Sequence, residues 1–358
     1  MESKRNYRVL GLMSGTSLDG LDIAYCSFRE IKNGWKYEII KATTMKYSAT
    51  WQRNLSTAHT LSGFDLMALD AAYGTFLGEM SRKFLSQNNL KANFIASHGH
   101  TIFHQPQKGF TFQLGNGSSL HAASGLPVVS DFRTLDVTLG GEGAPLVPIG
   151  DKLLFNTYDV CLNLGGIANL STDIKNKRIA YDICFMNMGL NFLASKTGKS
   201  FDTDGNMASD GEIDPPMMRA LDKVYAGLRT KRPSLGREIF EHRIQPVLDN
   251  KKIPLNNRLC TLTESSAKEI AMAIGSAKEN PTVLCTGGGA FNSFFISKLL
   301  DACGDNAHLI IPDKSVVNFK EALVFAFLGM RRVRNEINCL KSVTGASRDS
   351  SSGLMTGF

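Results

Sequence analysis

Apolar and polar positions alternate along the first fifty residues in a pattern that predicts β-strands. The segments YRVLGLM at 7–13 and LDIAYCSF at 21–28 are rich in β-branched and apolar residues, which favour strands. The turn SGTSLDG at 14–20 joins them, so the two segments form a hairpin. A third strand, WKYEIIKATTMKY at 35–47, pairs with that hairpin. The chain therefore opens with an antiparallel sheet around a glycine-rich turn.

The second half of the chain repeats the order of elements in the first half. Residues 63–88 carry apolar side chains at helical spacing and predict a long helix, which a buried strand at 92–97 follows. Residues 158–172, YDVCLNLGGIANLST, again give a strand, a Gly-Gly turn and a returning strand. A buried strand at 281–285 then ends in a glycine turn and precedes a helical segment, FNSFFISKLL. This repetition predicts an internal duplication, with two facing α/β lobes and a cleft between them.

The length of 358 residues suits two domains of ordinary size. The stretch from Asp131 to Pro148 is rich in glycine and proline, so we expect the chain to cross between the lobes there. This places a first lobe at 1–140 and a second at 141–358. The last residues, SVTGASRDSSSGLMTGF at 342–358, are small and polar, which predicts a frayed terminus.

Composition indicates a globular protein of a reducing compartment. The chain is 43% hydrophobic and 20% charged, which argues against disorder. No apolar run reaches the roughly 20 residues that span a bilayer, and the N-terminal residues lack the apolar stretch of a cleavable signal. Seven cysteines without CxxC spacing predict buried thiols. We therefore expect a cytoplasmic protein without membrane contact.

The formal charge of +7 comes from short basic clusters along the chain. A scattered, solvated surface explains such clusters most simply, and an anionic small substrate is the next interpretation. No recognised nucleic-acid-binding module accompanies the charge, so nucleic acid is not expected as a partner.

The turn at 14–20 has the chemistry of an anion site but fits neither common nucleotide motif. A Walker A loop needs a lysine, which this turn lacks, and a Rossmann fingerprint joins a strand to a helix rather than two strands. Backbone N–H groups beside Gly15 and Gly20 can face anionic oxygens. Asp19 or Asp22 can hold a hydrated magnesium ion. The same residue types are ordinary turn formers, so a purely structural role stays open.

Three histidines, His98, His100 and His104, follow the strand at 92–97. Residues two apart on a strand share a face, which would suit a metal site. No carboxylate or cysteine cluster completes a tetrahedral set, so we expect no such site. His98 and His100 are expected instead to line the cleft or to satisfy backbone groups beside a turn.

The opening segment GLMSGTSLDGLDIA begins a collinear series of motifs. The others are SHGHTIFHQP, SDFRTLD, GGEGAPLVP, NLGGIANLS, PSLGRE, TGGGAFN, KEALVFAFLGMR and SVTGA. Together they resemble the anhydro-N-acetylmuramic acid kinase family, in family order, from about residue 8 to about residue 347. The resemblance implies the superfamily of sugar kinases, actin and heat-shock chaperone ATPases. The expected fold is therefore a two-lobed, duplicated actin/hexokinase-like (ribonuclease H-like) α/β fold with a nucleotide cleft between the lobes.

The resemblance also implies a reaction. Similar enzymes use water to open the 1,6-anhydro ring of anhydro-N-acetylmuramic acid and transfer the ATP γ-phosphoryl group to the freed 6-oxygen, in cell-wall recycling. ATP and Mg²⁺ are the implied cofactors, and a homodimer is the implied assembly. In the family an aspartate is the general base that activates the water, and the matching position here is Asp182.

The other site residues follow from the same match. The segment from Gly15 to Asp22 matches the family's ATP-binding region. Arg133 and Glu321 match positions at the sugar site, where an arginine suits the lactyl carboxylate through bidentate contact. A surface ion pair and a helix-start acid are the structural alternatives for these two residues. The implied nucleotide residues are Gly15, Thr16, Ser17, Leu18, Asp19, Gly20, Leu21, Asp22, Gly165, Gly166, Gly287, Gly288 and Gly289.

The largest departure from the family is one segment, and smaller ones lie at His100, where a glutamine is usual, and at Asn116, Glu142, Leu235 and Phe291. Where the family usually has DTGPGN, residues 182–187 read DICFMN, which keeps the aspartate and the asparagine but loses both glycines and the proline. Bulk at Ile183, Phe185 and Met186 denies close backbone approach to a ligand, so the contacts there are expected to differ. Two alternatives therefore stay open: a kinase of a related amino sugar or anhydro-sugar, and a nucleotide-binding protein without turnover.

Overall fold

The computed structural model describes residues 6–15, 18–32 and 34–358. Two compact units form, one from the residues up to Asn156 together with Phe319–Phe358, the other from Thr157–Asn318. The strands are β1 (Asn6–Ser14), β2 (Gly20–Ile31), β3 (Gly34–Lys46), β4 (Phe94–Gln105), β5 (Phe110–Leu114), β6 (Val128–Ser130), β7 (Val160–Leu164), β8 (Ile167–Ile174), β9 (Lys177–Phe185), β10 (Thr282–Thr286), β11 (His308–Ile310) and β12 (Leu354–Thr356).

The helices fill the connections between these strands. The long helix predicted at 63–88 is confirmed almost residue for residue. The helices are α1 (Ala49–Thr57), α2 (Gly63–Gln87), α3 (Gly117–Ser124), α4 (Thr134–Thr138), α5 (Pro148–Leu154), α6 (Asn187–Ser195), α7 (Asn206–Ser209), α8 (Pro215–Lys231), α9 (Arg237–Ile239), α10 (Gln245–Leu248), α11 (Leu255–Ala277), α12 (Ser293–Cys303), α13 (Lys314–Val333) and α14 (Lys341–Thr344).

The two sheets share one topology, which confirms the predicted duplication. In the first unit the order is β12-β6-β4-β1-β2-β3, with β5 paired to β4. Strands β1 to β3 are antiparallel, and β4 and β6 add in parallel on the other side of β1. In the second unit the order is β11-β10-β7-β8-β9, with the same directions. Each unit therefore carries a glycine turn directly after its first strand.

Alternation along β1 packs the first sheet against a helix on each face. Leu10 and Leu12 join a buried apolar cluster with Tyr73 and Leu77 of α2. Gly11 faces α13, where a Cβ atom would collide with the carbonyl oxygen of Ala322. None of the helices in the described ranges is long and apolar enough to cross a membrane.

The chain leaves the first unit later than the predicted boundary at 140. Helix α5 still belongs to that unit: the Phe155 and Tyr37 rings lie 5.2 Å apart, and Lys320 pairs with buried Asp151 at 2.8 Å. Residues 131–148 therefore lie within the first unit and are not the crossing region. The chain returns at Phe319, whose non-helical backbone angles interrupt α13. Such a return depends on contacts distant in sequence, so local composition could not reveal it.

The C-terminal residues are not frayed, contrary to the prediction for 342–358. Strand β12 pairs antiparallel with β6 and becomes an edge of the first sheet. The buried Asn338 amide donates to the carbonyls of Leu328 and Ser352 at 3.0 and 2.8 Å, and its oxygen accepts from the Ser352 N–H at 2.7 Å. These hydrogen bonds satisfy buried polar groups and so fix the segment despite its polar composition.

Candidate active site

The turn between β1 and β2 contains most of the predicted phosphate-binding residues. Thr16 and Ser17 lie outside the described residues. Leu18 has a φ of +60°, uncommon for a residue with a side chain, and its carbonyl accepts a hydrogen bond from the Gln52 amide at 3.2 Å. At Gly20 a Cβ atom would lie 2.7 Å from the Met45 carbonyl oxygen. The close approach of β3 therefore requires glycine at position 20, independently of any role in ligand binding.

Asp22 lies two residues beyond this turn and is the half-buried acid of the hairpin. The Thr44 hydroxyl donates to its carboxylate. Burial raises the pKa of Asp22 to about 6, and the negative charges of Asp19 and Glu321 add to the effect. A carboxylate that is desolvated beside other acids gains most from a nearby cation. Among the described residues, however, no three histidine, cysteine or acidic side chains form a group that could hold a metal by themselves.

Arg133 is held in place by hydrogen bonds on two sides. Its Nε and Nη2 groups donate to Nε2 of His98 at 3.0 and 2.8 Å, and its Nη1 group donates to the carbonyl of Gly143 at 2.7 Å. Burial lowers the pKa of Arg133 to about 10, so the guanidinium stays charged at neutral pH. One N–H on each terminal nitrogen has no acceptor among the residues that the structure describes. Arg133 therefore presents a fixed, charged fork to an anion.

His98 is neutral and has one defined tautomer. Its Nδ1 lies 3.0 Å from the carbonyl oxygen of Gly99, which can only accept, so Nδ1 carries the proton and Nε2 is free to accept from Arg133. Burial and the positive charge of Arg133 lower the pKa of His98 well below its usual range. The neutral ring thus orients the guanidinium without neutralising it.

Asp136 fixes the other side of the Arg133 fork. It is fully buried and accepts hydrogen bonds from the Gly143 N–H and the Thr344 hydroxyl, both at 2.8 Å, and from the Cys339 thiol at 3.0 Å. Gly143 in turn offers its carbonyl to Arg133. Sequence reasoning missed both Asp136 and the role of His98, because neither lies at a recognisable spacing from Arg133.

Glu321 follows the interruption in α13 and faces the same region of the first unit. Its side chain reaches solvent, yet the protein packed around it raises its pKa, which the positive charges of Arg133 and Lys320 partly offset. The two predicted sugar-site residues are therefore electrostatically coupled without a direct ion pair, which leaves both able to contact a ligand.

The expectation that His98 and His100 share a face is wrong. His98 contacts Arg133 and lies 4.6 Å from the Phe325 ring, whereas His100 contacts Ser14 and faces Tyr73. Gly99 between them has a φ of +72°, which breaks the alternation of the strand. The two rings therefore have different partners: His98 contacts the Gly99 carbonyl and Arg133, whereas His100 contacts the Ser14 hydroxyl.

In the second unit, Asp182 lies on β9 beside a pocket of about 80 Å³. Its Oδ2 accepts a hydrogen bond from the Leu235 backbone N–H at 2.8 Å. Burial raises the pKa of Asp182, and the Leu235 hydrogen bond offsets this in part. The buried Glu269 carboxylate lines the same pocket but pairs with Arg229. Of the two acids that line this pocket, Asp182 is therefore the one without an ion pair to a basic side chain. A general base needs such a carboxylate, which is free to accept a proton.

The turn at Gly165 and Gly166 is tied to the segment that follows β9. The Gly166 carbonyl accepts hydrogen bonds from the N–H groups of Met186 and Met188, both at 3.0 Å. The Asn187 amide donates to the Leu164 carbonyl at 3.0 Å. The carbonyls of the turn therefore point to the protein, which leaves its N–H groups for a ligand.

Residues 183–186, which depart from the family pattern, all have buried side chains. Phe185 and Met186 belong to the apolar core of the second unit, and a Cβ atom at Gly289 would collide with the Met186 methyl group. The bulk introduced in this segment therefore fills the protein interior and packs beneath the Gly287 to Gly289 turn.

The Gly287 to Gly289 turn gives a matched pair of tests. Gly287 has a φ of +83°, and a Cβ atom there would lie 2.5 Å from Asn163 Oδ1. We expect Gly287→Ala to lower the free energy of unfolding by about 2–4 kcal/mol, from backbone strain and overpacking, and to weaken nucleotide binding. Gly288→Ala, with nothing within 4 Å of the added atom, should leave stability unchanged in urea titrations. Equal effects at both positions would contradict this account.

Two copies of one α/β unit, each with a glycine turn after its first strand, give the duplicated fold expected for the class of proteins that includes the sugar kinases. The family model for anhydro-N-acetylmuramic acid kinase matches residues 7–357. The chain belongs to the anhydro-N-acetylmuramic acid kinase family.

Curated relatives named anhydro-N-acetylmuramic acid kinase are similar over nearly the whole chain. The protein of Sulfurimonas denitrificans is 31% identical, over 97% of this chain and 98% of its own length. The Pseudomonas putida protein is 34% identical, over 89% of this chain and 91% of its own. The Francisella tularensis subsp. novicida protein is 32% identical, over 94% and 95%.

Proposed function

We propose that the protein uses ATP to convert 1,6-anhydro-N-acetylmuramic acid to N-acetylmuramic acid 6-phosphate, a step of cell-wall peptidoglycan recycling. Family membership across the chain supports the kinase activity. The observation that carries the chemistry is Asp182, a half-buried carboxylate with a raised pKa and one backbone hydrogen bond. Such a group can take a proton from water near neutral pH.

Asp182 acts on the water in this scheme. The water oxygen bonds to the anomeric carbon as the carboxylate takes its proton, and the bond from that carbon to the 6-oxygen breaks. The freed 6-oxygen attacks the γ-phosphorus of ATP, and ADP leaves. The Leu235 N–H holds one carboxylate oxygen and so leaves the other to accept the proton.

Backbone groups at the glycine turns bind the nucleotide in this proposal. The N–H groups of the turn from Gly15 to Asp22 and of Gly165 and Gly166 are donors to phosphate oxygens. The Gly287 to Gly289 turn accommodates the adenosine. Asp22, with its raised pKa, fits Mg²⁺, which prefers one or two carboxylates completed by water and phosphate oxygens. The ion would neutralise charge on the transferred phosphoryl group.

Arg133 binds the lactyl carboxylate of the sugar in this proposal. Its two remaining N–H groups and its fixed orientation support bidentate contact with a carboxylate. Glu321, which is accessible and close enough to influence the pKa of Arg133, would accept a hydrogen bond from a sugar hydroxyl.

The alternative of a different sugar substrate rested on residues 183–186. The side chains of Cys184, Phe185 and Met186 are fully buried and offer no contact to a sugar, and Ile183 adds only an apolar wall to the pocket beside Asp182. The anhydromuramic acid thus remains the better-supported substrate. Cytoplasmic location remains a prediction from the composition, and a homodimer remains a prediction from the family resemblance.

Isotope transfer tests this proposal directly. Incubation with ATP, Mg²⁺ and the anhydro-sugar in heavy-oxygen water should give a 6-phosphate that carries the label on the anomeric carbon. Mass spectrometry of the product and its fragments locates the label. An unlabelled phosphate ester, or ADP release without any sugar phosphate, would contradict the mechanism.

A further inference from the structure

A chain of buried hydroxyl groups ends on His100, where β1 stops. The hydroxyls of Tyr73 and Tyr47 lie 2.6 Å apart, Tyr47 donates to the Ser14 hydroxyl at 2.7 Å, and Ser14 Oγ lies 2.9 Å from Nδ1 of His100. All four side chains are more than nine-tenths buried. The sequence assigned no role to Tyr47 or Tyr73, and it left the role of His100 open between lining the cleft and satisfying backbone groups.

The hydroxyl protons determine which nitrogen of His100 is protonated. Because Tyr47 donates to Ser14, the Tyr47 oxygen accepts from Tyr73, and the Ser14 proton is directed to Nδ1 of His100. This arrangement gives every hydroxyl proton of the chain an acceptor. His100 Nδ1 is then an acceptor, and the ring proton resides on Nε2.

The Nε2–H group of His100 has no acceptor among the residues that the structure describes. His100 is 3% exposed, and its Nε2 is not among the fully buried polar atoms without a partner, so the small exposed part of the ring leaves this donor open to a ligand or water. His100 and Ser14 are register partners at the end of β1, where β1 and β4 run parallel. Ligands of α/β sheets bind beyond the carboxyl ends of parallel strands.

We propose that His100 binds the anhydro-sugar by donating its Nε2–H to a neutral sugar oxygen, a hydroxyl or the N-acetyl carbonyl. This inference rests on the proposed function. Burial lowers the pKa of His100 to about 4, so the ring is uncharged when the enzyme works. An uncharged donor suits a neutral oxygen, whereas a phosphate is better matched by a cation. Ser14 and Tyr47 act as positioning residues that set the tautomer.

Two substitutions at His100 separate the donor from the bulk of the ring. His100→Leu removes the donor and should raise KM for the anhydro-sugar three- to tenfold, the equivalent of one neutral hydrogen bond. KM for ATP should stay unchanged. His100→Gln, whose amide N–H can replace the imidazole donor, should restore KM for the sugar to within about twofold. His308→Leu, at an exposed histidine of the second unit, is the matched control, and thermal unfolding checks that each variant folds.

Nitrogen NMR of the histidine rings tests the tautomer independently of turnover. Wild type should show a protonated Nε2 and an unprotonated Nδ1 at His100, and Ser14→Ala should shift the ring toward a mixture of tautomers. A protonated Nδ1 in wild type overturns the inference, as does a rise in KM for ATP rather than for the sugar. A His100→Leu variant with the same KM for the anhydro-sugar as wild type also overturns it. If wild type phosphorylates no anhydro-sugar, the proposed function fails instead.

Discussion

Asp182→Asn is expected to lower kcat by about 10² to 10⁴, the usual contribution of a general base. The amide cannot take a proton from water, but its oxygen can still accept the Leu235 N–H, so the local structure should persist. ATP affinity, measured by calorimetry, should be unchanged. Asp222→Asn, which removes a partly exposed ion pair with Lys268 and does not line the Asp182 pocket, is the matched control and should retain wild-type turnover.

The pH dependence of the rate gives a second measure of Asp182. The active form is deprotonated, so kcat should fall as the pH falls through the pKa of Asp182. Because burial raises that pKa, the acid limb should lie above the ordinary aspartate value. The same shift makes the ionised carboxylate unfavourable in the folded state, so Asp182→Asn should be at least as stable as wild type at neutral pH. A variant that unfolds more easily, or that keeps its rate, would contradict the assignment.

The glycine turns and their strands could be predicted from sequence because their signals are local. Alternating apolar residues on both sides of SGTSLDG specify a hairpin, and the same pattern recurs around Gly165 and Gly166. Two sheets that share a five-strand order follow from that repetition, β6-β4-β1-β2-β3 in the first and β11-β10-β7-β8-β9 in the second. Local signals of this kind are enough to place the turns, even where a glycine such as Gly20 serves the packing of β3.

The domain boundary and the C-terminal strand could not be predicted because they depend on contacts between distant residues. Nothing in SVTGASRDSSSGLMTGF is apolar enough to indicate a strand, yet β12 pairs with β6, more than two hundred residues earlier. Helix α5 stays with the first unit through Asp151 and its partner Lys320. Pairings of this kind leave no periodic trace in either segment.

The sequence predicted the main residues of the candidate site but not the groups that hold them in place. Asp182, Arg133 and Glu321 came from the family resemblance, but the groups that orient them did not. Asp182 is held by a backbone N–H, which any residue at position 235 would supply. Arg133 is held by His98, whose role depends on the φ of +72° at Gly99, a conformation that no spacing of histidines reveals.

Arg133→Met is expected to raise KM for the anhydro-sugar about 10²- to 10⁴-fold, since two hydrogen bonds between charged groups are lost and each contributes about 1.5–3 kcal/mol. Arg133→Lys should recover little of this loss, because an ammonium is a point charge without the planar fork. The lysine ammonium cannot contact His98, the Gly143 carbonyl and a carboxylate at the same time in the geometry that the guanidinium provides. Initial rates at varied sugar concentration and saturating ATP measure the effect.

The role of Arg133 is distinguished from a general structural effect by changing the sugar. An anhydro-sugar without the lactyl ether lacks the carboxylate, so its KM should be similar for wild type and Arg133→Met. Arg53→Met, at an exposed arginine of the same unit, should leave both substrates unaffected. If the two sugars lose affinity equally in Arg133→Met, the guanidinium supports the fold of the GGEGAP loop through Gly143, and the lactyl carboxylate must be bound elsewhere. If only the lactyl sugar is affected, the fork held by His98 and Gly143 is what selects the acid.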